Sequence, residues 1–394
     1  MFKQVKKRVE DTGAFSKQEI EYLTTPKRVE ETTVSWGEYE TNQTDAYRVL
    51  FNDDRGPGKG GIRYHKSVSV EEVKTLAFLM SLKTSLVNIP LGGAKGGVKV
   101  NTKKLTSEEI EQISRSYIEN VYSVIGENKD IPAPDMYTGP KEMAWMLDEY
   151  ENITGKHQKG VVTGKPLSLG GSKGRNKATS TGAYEVIKQF ITEGTVAIQG
   201  YGNAGRQLAE ILSEEGYRVV AVSDSSGAIH TESGLNIKEV SEVKREEGSV
   251  TKYSDAKKIS NKELLELDVD LLVPAALENA ITKENAKDVK AELIAEVANG
   301  PVTKEAEELL ESKVIPDILC NSGGVIVSYF EWVQNRTGLY WSEKKVHQKL
   351  QEKLRDATQT LKEENKGETL RETAYRIAGK RICNAAKHRG RLQS

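Results

Sequence analysis

The chain has 394 residues, 37% hydrophobic and 6% aromatic, enough for two or three domains with ordinary cores. Its 57 basic and 58 acidic side chains balance to −1, which argues against a generic nucleic-acid or polyanion binder. No apolar run approaches the roughly 20 residues that span a bilayer, no apolar leader is visible, and Cys320 and Cys383 lie far apart, so a cytoplasmic protein without disulfides is expected.

Residues 1–35 read as polar helix and turn ending in a strand-like 32–36, and residues 46–51 read as a further strand. Gly56-Pro-Gly-Lys59-Gly-Gly-Ile-Arg-Tyr-His65 brackets a lysine with glycines and reads as a turn, with sheet continuing over 60–64. Residues 70–87 are helical, since Val73, Leu76, Ala77, Leu79, Met80 and Leu82 recur at helical spacing and Glu71 and Glu72 favour the start of the helix. Lys83 falls in its C-terminal half. Gly92-Gly-Ala-Lys95-Gly-Gly reads as a second glycine turn around a lysine.

A helix over 107–125 is expected with Ser107 as its cap. Prolines 132 and 134 stiffen the next loop, which presents Asp135 ahead of a helix over 140–152. The glycine-rich stretch 160–182 is the best candidate for a domain boundary.

Lys59, Lys83 and Lys95 are expected to converge on one small dianionic substrate. Gathered in a cleft, they repel one another and lose hydration, and both effects lower a lysine pKa into the range of general-base work. Two bland alternatives stand beside this: Lys83 as a stem on apolar surface with its head in water, and Asp135 as a helix cap. The five histidines show no ligand-type spacing, so no metal is expected.

The second half carries a βαβ pattern. Strand 195–199 runs into Gly200-Tyr-Gly202-Asn203-Ala204-Gly205, then a helix to about 214, then strand 218–223 ending at Asp224. This is the context a dinucleotide fingerprint requires: glycines for a tight turn and close pyrophosphate approach, and a helix N-terminus facing phosphate. Asp224 is placed to accept from the adenosine ribose, which favours NAD, whereas Ser223, Ser225 and Ser226 leave NADP open. Strands over 268–276 and 292–301 end in small residues that admit a flat ring, Ala275 among them, with Asn299 at the sheet edge. Residues 314–332 form a strand, a glycine turn and a helix carrying Asn321 and Ser328; a buried helical serine commonly bonds back to its own backbone. Charged amphipathic helices follow over 343–364 and 368–388, the second expected to return to the first domain or to a neighbouring subunit.

Through these motifs, from about residue 25 to near the C-terminus, the chain resembles the glutamate/leucine/phenylalanine/valine dehydrogenase superfamily, and within it the hexameric glutamate dehydrogenases. The resemblance implies an α/β fold of two domains with a cleft between them. One is an N-terminal α/β substrate-binding and assembly domain, 1–180, joined by the C-terminal helix at about 366–394; the other is a Rossmann-type doubly wound dinucleotide-binding domain, 181–365. It implies Lys95 as catalytic lysine, Asp135 as catalytic aspartate, Lys83 on the substrate α-carboxylate, and Lys59 with Ser328 on the side-chain carboxylate. Thr179, Asn203, Asn299 and Asn321 would lie near the nicotinamide half of NAD or NADP. The implied reaction is the reversible oxidative deamination of L-glutamate to 2-oxoglutarate and ammonia by a cytoplasmic homo-hexamer. A dehydrogenase for another L-amino acid and a non-catalytic regulatory subunit are the alternatives. Relatives acting on leucine, valine or phenylalanine carry apolar residues at positions 59 and 328. The family's usual Ala-Thr-Gly is here Ala178-Thr-Ser-Thr-Gly182, with Ser180 in place of glycine.

Overall fold

Both glycine-bracketed lysines lie in strands, not in turns. The structure, a computed structural model, describes residues 2–393. The chain divides into two units: Met1–Arg175 with Val325–Val346 and Tyr375–Ser394, and Asn176–Gly324 with His347–Ala374. The sequence division assigned all of 181–365 to the dinucleotide half, whereas 325–346 falls in the first unit. There Trp332 Nε1 donates to Glu127 O (3.0 Å) and the Glu331 carboxylate accepts from Gly164 N (2.9 Å).

The first unit contains helices α1 (Phe2–Asp11) and α2 (Lys17–Leu23), strands β1 (Arg28–Trp36), β2 (Asn42–Asn52) and β3 (Gly58–Tyr64), helix α3 (Val70–Leu86), strand β4 (Gly93–Val98), helix α4 (Ser107–Val121), strand β5 (Asp130–Pro134) and helix α5 (Pro140–Thr154). The sheet order is β1-β2-β4-β3-β5. β3 runs parallel to β4 and β5, and the other neighbours are antiparallel. One sheet face packs on α4 and α5 through Val34, Ile62, Tyr64 and Val98 against Ile113, Tyr117, Met143 and Met146. Thr106, not Ser107, caps α4, in a reciprocal pair with Glu109, and the helix stops at Val121 rather than 125.

The other face packs on α3, and glycine makes that contact possible. A Cβ on Gly93 would stand 2.2 Å from Ser81 N in α3, and one on Gly60 would stand 1.5 Å from Ala94 O in the neighbouring strand. Glycine inside a strand here marks close approach of a neighbour, not a change of direction. At the far end of α3, carbonyl groups that the helix leaves over are met from the last helix of the chain: Arg381 Nη1 donates to Ser85 O (2.9 Å) and Leu86 O (2.7 Å).

The second unit follows α6 (Ala178–Ile187) with β6 (Thr195–Gln199), α7 (Asn203–Glu214), β7 (Arg218–Asp224), β8 (Gly227–His230), α8 (Ile237–Glu247), β9 (Lys257–Ile259), α9 (Asn261–Leu265), β10 (Leu271–Pro274), β11 (Leu293–Ala295), α10 (Lys304–Glu307), β12 (Lys313–Ile315) and α11 (Asp317–Cys320). Helices α12 (Gly323–Thr337), α13 (Glu343–Glu364) and α14 (Leu370–His388) end the chain. The sheet order is β12-β11-β10-β6-β7-β8-β9. The five strands from β12 to β7 are parallel, and β8 and β9 add an antiparallel edge. Chain order reverses between β6 and β10, the switch point at which doubly wound sheets bind ligands beyond the strands' carboxyl ends. Two strands are shorter than expected: 271–274 in place of 268–276, and 293–295 in place of 292–301. No helix among the described residues is long and apolar enough to cross a membrane.

Candidate active site

Residue parity on two strands brings two of the lysines to one face. Ile62 in β3 is registered with Gly96 in β4, so Lys95 lies level with Gly61, two positions along from Lys59. Side chains two apart on a strand share a face. In β4 that face is the one α3 covers: added Cβ atoms at Gly93 and Gly97 would strike Ser81 and Val73 of α3. Lys83 is buried on α3 itself, two residues past Ser81. Strand pairing and helix packing thus bring Lys59, Lys83 and Lys95 into one layer of the first unit.

Lys95 is 5% exposed, and its Nζ lies 2.8 Å from Asp135 Oδ1. The other oxygen of Asp135 accepts from Arg63 Nε at 2.8 Å, and Arg63 also pairs with Glu72 at the start of α3. Asp135 follows β5, which is a strand and not the stiff loop expected, and Gly139 takes the N-cap position of α5. Asp135 is therefore not the cap of that helix; its backbone N–H donates to Thr138 Oγ1 at 2.8 Å. Gly61 is needed beside it, since a Cβ there would come within 2.7 Å of the Asp135 Cβ. Burial lowers the Lys95 pKa, and nearby Arg63 and Arg48 lower it further against the pull of Asp135. Burial alone would raise Asp135, but Lys95 and Arg63 hold it well below the usual carboxylate range. The result is a lysine able to lose its proton more easily than usual, held against a carboxylate that stays ionised.

Lys59 is 1% exposed, and among the described residues its Nζ donates to the Ile131 carbonyl, at 3.4 Å. Burial drives its pKa well down, as do Arg175 and Arg48. The carboxylates whose charge opposes this, Asp130 and Glu331, are each engaged with another cation. Arg48 Nε donates to Asp130 at 2.9 Å, and Lys165 Nζ lies 2.7 Å from Glu331 Oε1. Glu331 also accepts from the backbone N–H groups of Gly164 (2.9 Å) and Lys165 (3.3 Å). Ser328 is buried one turn earlier on the same helix, so it shares a side of α12 with Glu331. The sequence reading missed Arg48, Arg63, Arg175, Lys165 and Glu331. Only burial in an otherwise polar segment would have marked them, and that is a property of the fold.

In the second unit the fingerprint loop is built as tightly as its glycines demand. Gly200 has φ +100, and a Cβ there would meet Ala276 at 2.7 Å; a Cβ on Gly205 would stand 1.9 Å from Gly200 O. The space before Gly202 is open. It continues into a groove of about 810 Å³ lined by Gly202, Asn203, Arg206 and α8. Ala275 N donates to Gln199 O (2.8 Å), which sets that loop beside the fingerprint at the switch point. A tight glycine cradle at the N-terminus of α7, with room in front of it, fits the pyrophosphate of a dinucleotide.

Asn321 Nδ2 donates to Asn299 Oδ1 (3.1 Å) and to the carbonyls of Val297 and Ala298, so these two asparagines meet. A buried cluster that the sequence did not reveal braces their loop: Arg371 bonds Glu296, Glu307 and Asp317, and Asp317 accepts from Gly300 N at 3.0 Å. Burial pushes the Glu296 carboxyl up to about 7 despite Arg371. Thr179 lies in the first turn of α6, ahead of Ser180, whose hydroxyl donates to Ala204 O (3.0 Å). The replacement of glycine at 180 is accommodated by a hydrogen bond to the fingerprint itself.

Asp224 stands at the end of β7 as expected, and both oxygens of its carboxylate accept from groups of the chain itself. Oδ1 accepts from Ser226 N (2.8 Å) and Ser249 Oγ (3.3 Å), and Oδ2 from Val250 N (2.9 Å) and the Lys244 ammonium.

Two family models cover most of the chain: Glu/Leu/Phe/Val dehydrogenase, dimerisation domain, over residues 26–152, and Glutamate/Leucine/Phenylalanine/Valine dehydrogenase over residues 170–390. The chain is 51% identical to an NADP-specific glutamate dehydrogenase of Synechocystis sp. over 327 residues, 78% of this chain and 76% of that one. It is 46% identical to an NAD-specific glutamate dehydrogenase of Staphylococcus aureus over 356 residues, 87% and 86% of the two chains. Among solved structures it is similar to a hetero-hexameric glutamate dehydrogenase from Thermus thermophilus (TM-score 0.91, 32% identity, covering 98% of this chain and 95% of that one). It is also similar to the Peptoniphilus asaccharolyticus enzyme (TM-score 0.86, 35% identity, 98% of both chains). With its lysine layer, its glycine cradle and these likenesses together, the chain belongs to the Glu/Leu/Phe/Val dehydrogenase family.

Proposed function

We propose that this chain catalyses the reversible oxidative deamination of L-glutamate to 2-oxoglutarate and ammonia, as an NAD(P)-dependent oxidoreductase acting on the CH–NH2 group. The first unit serves as substrate-binding and assembly domain, and the second as dinucleotide-binding domain. Lys83 takes the α-carboxylate, and Lys59 with Ser328 takes the γ-carboxylate. Bound NAD(P)⁺ supplies the hydride acceptor, held by Gly200, Gly202, Ala204, Gly205 and Ala275 with Thr179, Asn203, Asn299 and Asn321 towards the nicotinamide.

Lys95 and Asp135 then perform the proton chemistry. Oxidation at Cα leaves an imine, which water must attack. A lysine with a lowered pKa removes a proton from that water and, once charged, stabilises the carbinolamine oxygen. Asp135, ionised and 2.8 Å from the Lys95 ammonium, relays protons to and from the departing amine. Fixing the substrate at both carboxylates can supply on the order of 7–11 kcal/mol of the barrier through orientation. A cytoplasmic homo-hexamer completes the reading; the Thermus thermophilus relative supports the number of subunits but is itself named as a hetero-hexamer.

The observation that carries the glutamate assignment is Lys59, a buried cation whose neighbouring carboxylates are already engaged. A substrate with a second carboxylate completes that site, whereas an apolar side chain would leave the charge buried and unpaired. Initial rates of the purified chain with L-glutamate and L-leucine test it: glutamate is the preferred substrate, and a preference for leucine overturns the assignment.

A further inference from the structure

The acid of a dinucleotide fingerprint favours the unphosphorylated ribose in two ways: it accepts from the ribose hydroxyls, and its charge repels a 2′-phosphate. Neither effect is open to Asp224. A carboxylate has about four lone-pair sites, and each oxygen of Asp224 already takes two donors. Its side chain is 7% exposed, and its charge is matched by Lys244. To accept from a ribose it would have to release a backbone N–H, the Ser249 hydroxyl or the ammonium.

What the hairpin offers is donors. Asp224 is paired with Gly227 across the β7–β8 turn, which leaves Ser225 and Ser226 exposed at the tip. Lys244 donates to Asp224 and to Gly248 O (2.8 Å), two of the three protons an ammonium carries. The same lysine lines the groove that opens before Gly202. Glutamates 210, 214 and 242 share that groove, but Glu210 is paired with Arg206.

We propose that this chain selects the 2′-phosphorylated dinucleotide, NADP(H), and that Lys244 decides the selection: it neutralises Asp224 and, with the hydroxyls of Ser225 and Ser226, receives the 2′-phosphate. The inference rests on the dinucleotide reading of the second unit. The phosphate brings close to two negative charges at neutral pH, and a charged donor beside hydroxyls is the usual means of recognising it.

Calorimetric titration of the full-length protein with adenosine 2′,5′-bisphosphate and with 5′-AMP tests the selection without turnover. The bisphosphate should bind at least about tenfold tighter. Lys244→Gln should abolish that difference by leaving Asp224 uncompensated, and Ser226→Ala, at the exposed tip, should reduce it by a smaller factor. Equal or tighter binding of 5′-AMP by the unmodified chain overturns the selection and leaves the dinucleotide site standing. A preference that survives in Lys244→Gln overturns the role of the lysine. Binding of neither nucleotide removes the inference together with the dinucleotide reading.

Discussion

Lys59 and Asp224 are both charged groups withdrawn from water, one in each unit, and their surroundings are opposites. Among the described residues Lys59 makes a long contact to a neutral carbonyl, and the carboxylates whose charge reaches it serve other cations. Asp224 receives donors on both oxygens and a full counter-charge. Burying a charge is costly unless it is paired, so the two arrangements have different meanings. In the proposed function the lysine marks a place where the substrate brings the missing charge. The aspartate is held by the chain's own donors, and its counter-charge is supplied within the second unit.

The comparison can be broken or sharpened by experiment. The largest effect is expected at Lys95, a second buried lysine of the first unit. Lys95→Ala should lower kcat by about 10²–10⁴-fold, the contribution of a positioned acid–base group, and leave nucleotide affinity unchanged in the same calorimetric titration. Near-normal turnover would remove Lys95 from the chemistry.

Lys59→Leu should come next. Loss of one partner of a buried charge pair costs about 2–5 kcal/mol, so kcat/KM for glutamate should fall roughly 30- to several-thousand-fold. The unliganded protein should at the same time gain thermal stability, since a buried, poorly satisfied amine is replaced by an apolar side chain. A lower melting temperature would mean that Lys59 is already satisfied without ligand.

The smallest effect is a proton count. The folded pKa of Lys59 lies well below its ordinary value, so above that pKa the unliganded site holds less than a full proton. A bound carboxylate favours the charged form and raises the pKa again. Binding of glutarate, a dicarboxylate with no amine of its own, should therefore take up protons, at most about one per site, and weaken as pH rises through the lowered pKa. Calorimetry in buffers of different ionisation enthalpy measures the uptake; none, or a release, would place the lysine elsewhere in the charge balance.

The dinucleotide unit was legible in the sequence because its signals are local. The run from Thr195 to Asp224 shows strand, glycine turn, helix and strand in order, and each appears where the pattern placed it. The lysine segments were misread as turns because glycine is ambiguous by itself. Whether Gly60 bends the chain or admits a neighbour is decided by Ala94, on another strand. Lys95 and Asp135 were named from the sequence, but the Arg63 and Arg48 charges that tune them come from strands whose register no local pattern gives. Lys165 and Glu331 are 166 residues apart. The partners of Asp224 arrive 20 to 26 residues later, at Lys244, Ser249 and Val250.

The Lys165–Glu331 pair carries a consequence for the conditions under which the protein can work. Both side chains are wholly enclosed, at 0% exposure, so mobile counterions cannot screen them as they do surface pairs such as Arg115 with Asp148, at 28% and 58% exposure. The helix bearing Ser328 therefore keeps its electrostatic anchor in dilute buffer and in concentrated brine alike.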